Sequence, residues 1–254
     1  MEQSAVGKRV AFFGGSFDPP HFGHLAVARA ARAALELDTV LFVPVGAQPL
    51  KPMGSTAGFE DRVAMTRLAI AGEGGFEVSL ADAPRPSGEP NFTLETLLSL
   101  RATIPREGVL FCLMGADSFL GLNGWHRATE IPFVAPLVVA SRPGQKLEGM
   151  RSALPDGLTL EALPQTAQTE FRHEVEPAST SPARANLEVY LLRNARGESA
   201  PFFILPGLEV EISASQVREV IQDQSGASPS DPLPDIALLP HAVLDYIREH
   251  GLYR

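Results

Sequence analysis

Short apolar runs alternate with longer segments of helical periodicity along the first part of the chain. The run 40–45 is apolar throughout, which is typical of a parallel strand buried on both faces. The apolar runs predict strands at Val10–Phe13, Val40–Val45, Phe76–Leu80, Val109–Met114 and Leu137–Ala140. The periodic segments predict helices at Gly23–Leu37, Phe59–Ala71 and Thr93–Thr103, with short helical turns at Asp117–Leu122 and Trp125–Ile131. This alternation predicts an α/β fold in which helices cover both faces of a parallel sheet.

The second half of the chain is less regular. Leu187–Leu192 and Phe202–Leu205 are predicted as two strands around a turn, whereas the polar stretch 161–185 is predicted to be mobile. Two further helices are predicted at Ser213–Gln224 and His241–Glu249, with a linker rich in Ser, Pro and Asp between them. These elements predict a small helical portion towards the C-terminal end.

The length is compatible with one large α/β domain. We expect a single domain over residues 1–254, with its core at 8–144 and 203–254 and an inserted hairpin and loop segment at 145–202.

Charge and composition argue against a nucleic-acid-binding or membrane protein. The net charge is −9 and no basic stretch is present, so we expect no nucleic-acid partner. No run of about 18 apolar residues occurs, and the N-terminal residues lack the pattern of a signal peptide. We therefore expect no membrane partner and a cytoplasmic location. The one cysteine, Cys112, lies in a predicted buried strand and is expected to be a small apolar core residue.

The segment between the first predicted strand and the first predicted helix contains the clearest candidate for a ligand-binding site. It runs Gly14-Gly15-Ser16-Phe17-Asp18-Pro19-Pro20-His21-Phe22-Gly23-His24. Glycines let a phosphate approach the backbone closely, and a helix N-terminus offers free N–H groups and the positive end of a dipole. The i, i+3 spacing of His21 and His24 puts both on one face of the first helical turn. The segment therefore predicts a site for the phosphates of a nucleotide.

Other candidate residues follow predicted strands or begin a helix. The blocks 115–117 and 141–142 come at the carboxyl ends of strands, where ligands of parallel sheets bind. Ser213 and Gln216 have the spacing of a capping box, and Arg218 follows about one turn into the same helix. A helix N-terminus with hydroxyls and a guanidinium predicts a second phosphate site. A zinc site is the rival for the two histidines, but His126 lies in a remote block and no metal ligands are predicted.

The segment 14–24 resembles the His-x-Gly-His signature of the nucleotidylyltransferase superfamily, and in its longer form that of bacterial nicotinate-nucleotide adenylyltransferases. Further blocks resemble that family in the same order, over about residues 8–144 and 203–254. They are Gly115-Ala116-Asp117-Ser118-Phe119, Trp125-His126-Arg127, Ser141-Arg142-Pro143-Gly144, Ile212-Ser213-Ala214-Ser215-Gln216-Val217-Arg218 and the segment Tyr246–Arg254.

The resemblance implies a Rossmann-like fold and adenylyl transfer from ATP to nicotinate mononucleotide, with Mg²⁺ carried by the ATP phosphates. The catalytic residues it implies are His21, His24, Lys51 and Arg218. The implied ATP-binding residues are Gly14, Gly15, Ser16, Phe17, Gly115, Asp117, Arg142, Ile212, Ser213 and Ser215. Ser16 and Phe17 are expected to act through backbone N–H groups, with little contribution from their side chains. Phe92, Thr93 and Trp125 are implied to bind the pyridine mononucleotide, Thr93 also as a helix cap.

Three positions depart from the family pattern. Leu50 replaces a histidine before Lys51, Phe92 lacks a tyrosine hydroxyl, and Ala214 replaces a hydroxyl residue. Two alternatives stay open: adenylyl transfer to nicotinamide mononucleotide or phosphopantetheine, and a nucleotide-binding module without turnover. Formation of a homo-oligomer also stays open.

Residues near these blocks are given structural roles. Asp18 is expected to initiate the turn before Pro19. Arg62 and Arg67, on the second predicted helix, are expected to be surface or oligomer-contact residues.

Overall fold

One eight-stranded sheet forms the centre of the computed structural model, which describes residues 7–47, 54–141, 147–163, 187–205, 212–223 and 238–254. Its strands are β1 (Arg9–Gly15), β2 (Thr39–Pro44), β3 (Phe76–Val78), β4 (Val109–Gly115), β5 (Leu137–Ala140), β6 (Leu158–Ala162), β7 (Glu188–Asn194) and β8 (Ser199–Leu205). The helices in the described ranges are α1 (Phe22–Leu35), α2 (Phe59–Ala69), α3 (Thr93–Thr103), α4 (Ala116–Leu120), α5 (Ile131–Val134), α6 (Leu147–Ser152), α7 (Ala214–Asp223) and α8 (His241–Glu249). Short 3₁₀ turns lie at Leu122–Gly124 and Ala128–Glu130.

The order of the strands places the candidate site. The sheet runs β3-β2-β1-β4-β5-β8-β7-β6, and neighbours are parallel from β3 to β8. From β1 the chain first builds β2 and β3 on one side and then crosses to β4 and β5 on the other. Ligands of such sheets bind at the carboxyl ends of the strands where this direction changes. Here those ends are Gly14 and Gly15 on β1 and Gly115 on β4.

Helices pack on both faces of the sheet, so the predicted Rossmann-like α/β fold is confirmed. Alternate residues of β1 point to opposite faces because side chains of a strand have a period of two. Ala11 and Phe13 pack in the layer that contains α1, whereas Val10 and Phe12 pack in the layer that contains α3. A third apolar cluster joins α2, α7 and α8, with Met65, Val217, Val243 and Ile247 among its members.

The part after β5 differs most from the prediction. The predicted hairpin is present as β7 and β8, each longer than predicted, and β7 pairs antiparallel with β8. Strand β6 extends the sheet beyond β7 and was not predicted, although its five residues alternate between apolar and polar. Its last two residues fall in the polar stretch 161–185 that is predicted to be mobile. Most of the stretch 161–185 and the linker 225–234 lie outside the described residues. Among the described helices, none combines the length and the apolar character that crossing a membrane requires.

Candidate active site

A cavity of about 1160 Å³ opens at the carboxyl ends of β1 and β4. Its wall combines the turn after β1, the start of α1, the end of β4, the start of α3, and the start of α7. The predicted site residues that line it are Gly14, Gly15, Ser16, His21, His24, Phe92, Thr93, Gly115, Asp117, Trp125, Ile212, Ser213 and Ser215. Phe17 and Arg218 are not on this wall, and Lys51 and Arg142 lie outside the described residues.

The two histidines form a pair of rings in contact at the start of α1. His21 is the N-cap residue, and the ring centroids of His21 and His24 are 3.7 Å apart. The backbone N–H of His21 donates to Nδ1 of His24 over 3.2 Å. A ring nitrogen that accepts a hydrogen bond carries no proton, so the neutral ring of His24 holds its proton on Nε2. The helix cap thus makes Nε2 of His24 a hydrogen-bond donor.

Burial keeps both rings uncharged. It lowers the pKa of His21 to about 4, and it lowers the pKa of His24 well below the usual value of 6.5, with a further contribution from the neighbouring His21. The Nδ1 atom of His21 is buried and has no hydrogen-bond partner among the described residues. Near neutral pH the pair therefore offers neutral donors at the cavity wall.

The depressed pKa of His21 predicts a loss of stability in acid. Between pH 6.5 and about 4 the unfolded chain binds a proton that the folded His21 does not, so the free energy of unfolding falls as the pH is lowered. The contribution of His21 reaches roughly 3 kcal/mol at the low end of this window. Urea unfolding at several pH values, with His21→Gln compared to wild type, measures it.

We expect the acid-dependent loss to be smaller in His21→Gln, because the glutamine side chain does not titrate. His250→Gln is the control, since His250 is exposed and lies outside the cavity wall. The same loss in His21→Gln as in the wild type would contradict the assignment.

Phe17 positions His24 through its side chain. Its ring is almost completely buried and meets the imidazole of His24 edge-on, with centroids 5.0 Å apart. The backbone of Phe17 is in the left-handed region, with φ +47°. The same ring also packs against Phe13 and Phe42. The side chain of Phe17 therefore has a structural role at the histidine pair, and its backbone N–H remains the group predicted to bind phosphate.

The start of α7 lies against the start of α1. Ser213 and Gln216 form the predicted capping box: the N–H of Gln216 donates to Oγ of Ser213 over 3.2 Å, and the N–H of Ser213 donates to Oε1 of Gln216 over 2.9 Å. A Cβ at Gly23 would lie 2.9 Å from Nδ1 of His21 and 3.4 Å from the carbonyl of Ile212. Glycine at this position leaves room for the ring of His21, and the carbonyl of Ile212 lies close beside it.

Arg218 faces the turn after β1. Its Nη1 donates to the backbone carbonyl of Asp18 over 2.6 Å, and its Nη2 donates to Oγ of Ser215 over 3.2 Å. The guanidinium therefore links the two segments that hold the cavity wall, and it stands beside that wall.

One part of the cavity wall, which we call the aromatic end, contains Phe92, Trp125 and His126. The rings of Phe92 and His126 are in contact, with centroids 4.4 Å apart and planes tilted by 35°. His126 was predicted to be remote from the histidine pair, but it lines the same cavity. Phe92 is the N-cap of α3 and Thr93 its first residue, so the predicted cap at Thr93 is shifted by one position.

Two polar residues at this end were not predicted as site residues. Asp82 lines the cavity, accepts a hydrogen bond from Oγ1 of Thr96 over 2.6 Å, and has a pKa raised by burial. Asn91 donates to the carbonyl of Ala83 over 3.0 Å and accepts from the N–H of Ala47 over 3.3 Å. Both lie in or beside a polar, Pro-rich loop, where sequence pattern gives no sign of which residues face inward.

Arg62 was predicted to be a surface residue and is one of the most buried side chains described. Its guanidinium donates to three backbone carbonyls: those of Ser16 and Val45, each over 2.7 Å, and that of Ala57 over 3.3 Å. The prediction for Arg62 is wrong because these acceptors come from separate loops that only the fold brings together. Arg67, five residues later, is exposed as predicted.

Residues 12–220 match the model of the cytidylyltransferase-like family. The chain belongs to the cytidylyltransferase-like family. A curated relative from Gloeobacter violaceus, named a probable nicotinate-nucleotide adenylyltransferase, is 34% identical and covers 98% of this chain and 97% of its own length. A relative of the same name from Aeromonas salmonicida is 35% identical over 96% of this chain and 97% of its own length.

A solved structure supports the same fold for this cytidylyltransferase-like chain. Plasmodium falciparum nicotinic acid mononucleotide adenylyltransferase, complexed with NaAD, superposes with a TM-score of 0.60 at 16% identity and covers 97% of each chain. At this identity the likeness concerns the fold. The resemblance drawn from the His-x-Gly-His segment is confirmed at the level of the family.

The polar groups described at the cavity suit an anion better than a metal. They include Nε2–H of His24 and the free N–H groups at the start of α7. Within the described ranges, no three His, Cys, Asp or Glu side chains are grouped closely enough to hold a metal ion. A nucleotide phosphate is the ligand class that such donors bind.

Proposed function

We propose that this protein transfers the adenylyl group of ATP to nicotinate mononucleotide, giving deamido-NAD and pyrophosphate in NAD biosynthesis. The observation that carries the proposal is one cavity walled by the histidine pair of α1, the capped start of α7 and an aromatic end with Trp125. The names of the full-length relatives support the choice of acceptor. Because ATP and pyridine mononucleotides are cytoplasmic metabolites, the proposed reaction belongs in the cytoplasm.

The proposed reaction needs no general base from the protein. The phosphate of the mononucleotide has a second pKa near 6, so it is already ionised at neutral pH. One of its oxygens forms a bond to the α-phosphorus of ATP, and the bond from that phosphorus to the bridging oxygen breaks. The electron pair leaves with pyrophosphate, whose charge is the part that the protein must stabilise. Positioning and charge neutralisation account for most of the catalysis in reactions of this type.

The triphosphate is proposed to lie between the starts of α1 and α7. Nε2–H of His24 donates to it as negative charge develops, and the N–H of Ser215 and the hydroxyls of Ser213 and Ser215 donate from the other side. Mg²⁺ enters as part of the Mg·ATP substrate, held by phosphates and water. Lys51, Arg142 and Arg218 are proposed as the cations that balance the charge of the phosphates, with Arg218 acting from beside the wall.

The mononucleotide is proposed to bind at the aromatic end of the cavity. Trp125 offers a flat apolar face for the pyridine ring. Thr93, at the start of α3, offers a hydroxyl and a helix N–H to the substituent on that ring. Phe92 is in contact with His126 in the structure and is proposed to shape this end rather than to donate a hydrogen bond.

Product analysis tests the proposal. Purified protein is mixed with ATP, Mg²⁺ and equal amounts of nicotinate mononucleotide, nicotinamide mononucleotide and phosphopantetheine, and the products are identified by mass spectrometry. We expect deamido-NAD and pyrophosphate in equal amounts, with little product from the other two acceptors. A dominant product from another acceptor would overturn the assigned substrate. Binding of ATP with no product from any acceptor would favour a nucleotide-binding module instead.

A further inference from the structure

A buried carboxylate lies directly behind the wall that the phosphates are proposed to meet. Asp18 is 4% exposed, and its side chain is not part of the cavity lining. Its Oδ2 accepts from the backbone N–H of Thr56 over 2.6 Å, and its Oδ1 accepts from the N–H of Ala57 over 3.0 Å. The side chain therefore ties the turn after β1 to the segment that leads into α2, well beyond the local role predicted for it.

The third donor to Asp18 comes from the segment that follows α8. The hydroxyl of Tyr253 donates to Oδ1 of Asp18 over 2.7 Å, across 235 positions of sequence. Tyr253 is buried and its backbone is left-handed, with φ +63°. Burial and the nearby carboxylate raise the pKa of Tyr253, so the phenol remains a donor. Its ring belongs to the apolar cluster of α2, α7 and α8.

Two guanidinium groups fix the backbone of the same turn. Arg62 holds the carbonyl of Ser16 and Arg218 holds the carbonyl of Asp18. The peptide unit after Ser16 is trans and planar, so its N–H, that of Phe17, points away from Arg62. The orientation of the peptide groups in this turn is thus set by contacts on the side away from the cavity.

We propose that Asp18 and Tyr253 are positioning residues for the phosphate-binding turn, which makes the segment after α8 part of the catalytic apparatus. The inference rests on the proposed function, because it assigns the turn at 14–18 to the phosphates of ATP. Removing the Tyr253 hydroxyl leaves a buried carboxylate with one donor fewer, and the turn relaxes away from the geometry that the triphosphate requires. Tyr253 and Asp18 do not touch the substrate themselves.

The chain offers a matched control. Tyr246, on α8, also donates its hydroxyl to a carboxylate, Oδ1 of Asp61, over 3.0 Å. Asp61 lies on α2 and is not among the residues that line the cavity. Tyr253→Phe and Tyr246→Phe therefore each delete one hydroxyl–carboxylate hydrogen bond from the same region, and only the first deletion reaches the phosphate-binding turn.

Three measurements on both variants separate positioning from simple stability: the unfolding midpoint, the kinetic constants, and the Kd of a non-hydrolysable ATP analogue with Mg²⁺. In Tyr253→Phe we expect kcat to fall and the Kd of the analogue to rise, each by about tenfold. We expect the KM for the mononucleotide to stay within about twofold, because the aromatic end is unaffected. Tyr246→Phe should keep the wild-type kcat, KM and analogue Kd, and should differ from the wild type only in its unfolding midpoint.

The inference would be overturned if Tyr253→Phe and Tyr246→Phe lost the same stability and Tyr253→Phe kept the wild-type kcat and analogue affinity. Asp18→Asn provides a second test, since it keeps the volume but loses an acceptor, and it should weaken analogue binding at least as much as Tyr253→Phe. If the wild type makes no dinucleotide from any acceptor, the proposed function has failed. The analogue affinities still decide the positioning role in that case.

Discussion

Replacing His24 with alanine is expected to lower kcat by roughly 10²–10³-fold, the usual cost of removing one aligned donor from a charge-stabilising site. The ring has its Nδ1 engaged by the N–H of His21, so Nε2–H is the atom left to donate to the phosphates. Because the mononucleotide is proposed to bind at the aromatic end of the cavity, its KM should change little. Initial rates of pyrophosphate release, measured with both ATP and the mononucleotide at saturating concentrations, give kcat directly.

His250→Ala is the matched control for this substitution. His250 is exposed, stacks on Tyr246 at the end of α8 and lies outside the cavity wall, so its loss should leave kcat unchanged. Circular dichroism and the unfolding midpoint must show that His24→Ala is folded at the assay temperature. A folded His24→Ala with the wild-type rate would refute the role of the imidazole.

Arg62→Ala is expected to reduce the free energy of unfolding by about 3 kcal/mol, an effect of the size seen when a buried charged network is broken. The substitution leaves the carbonyls of Ser16, Val45 and Ala57 without their buried donor and opens a cavity in the space of the side chain. Urea unfolding at neutral pH measures the loss.

Arg67→Ala controls for the loss of a positive charge on the same helix. Arg67 is exposed, and its substitution should change the free energy of unfolding by less than about 0.5 kcal/mol. Arg62→Lys should recover only part of the loss, because one ammonium cannot reach three carbonyls in the fork geometry of a guanidinium. Equal effects of the two alanine substitutions would contradict the role given to Arg62.

The central strands could be predicted because burial on both faces makes them continuously apolar. The sequences of β1, β2 and β4 contain few polar residues, so each is recognisable as a continuous apolar run. Edge strand β6 was missed although its residues alternate between apolar and polar, because it is short, mostly exposed and runs into the polar stretch 161–185. The single-residue shift of the cap from Thr93 to Phe92 is typical of helix boundaries, which sequence fixes poorly.

The residues at the starts of α1 and α7 that line the cavity could be predicted because each group is close together in sequence. His21, His24 and Gly23 fall within one turn of helix, and the start of α7 carries its own capping signal. Residues that depend on distant partners were not predictable. The sequence around Arg62 is that of an arginine on a helix surface, and two of the three carbonyls that it binds come from loops distant in sequence. No local sequence signal connects Tyr253 to Asp18.

The proposed chemistry depends on two separate helix starts binding one ATP, so the position of the triphosphate decides whether it holds. A crystal structure with Mg²⁺ and a non-hydrolysable ATP analogue tests this most directly. We predict a phosphate oxygen within about 3 Å of Nε2 of His24, with the same triphosphate in contact with Ser213 or Ser215 at the start of α7. A triphosphate bound by only one of these two helix starts, or outside the cavity, would contradict the account.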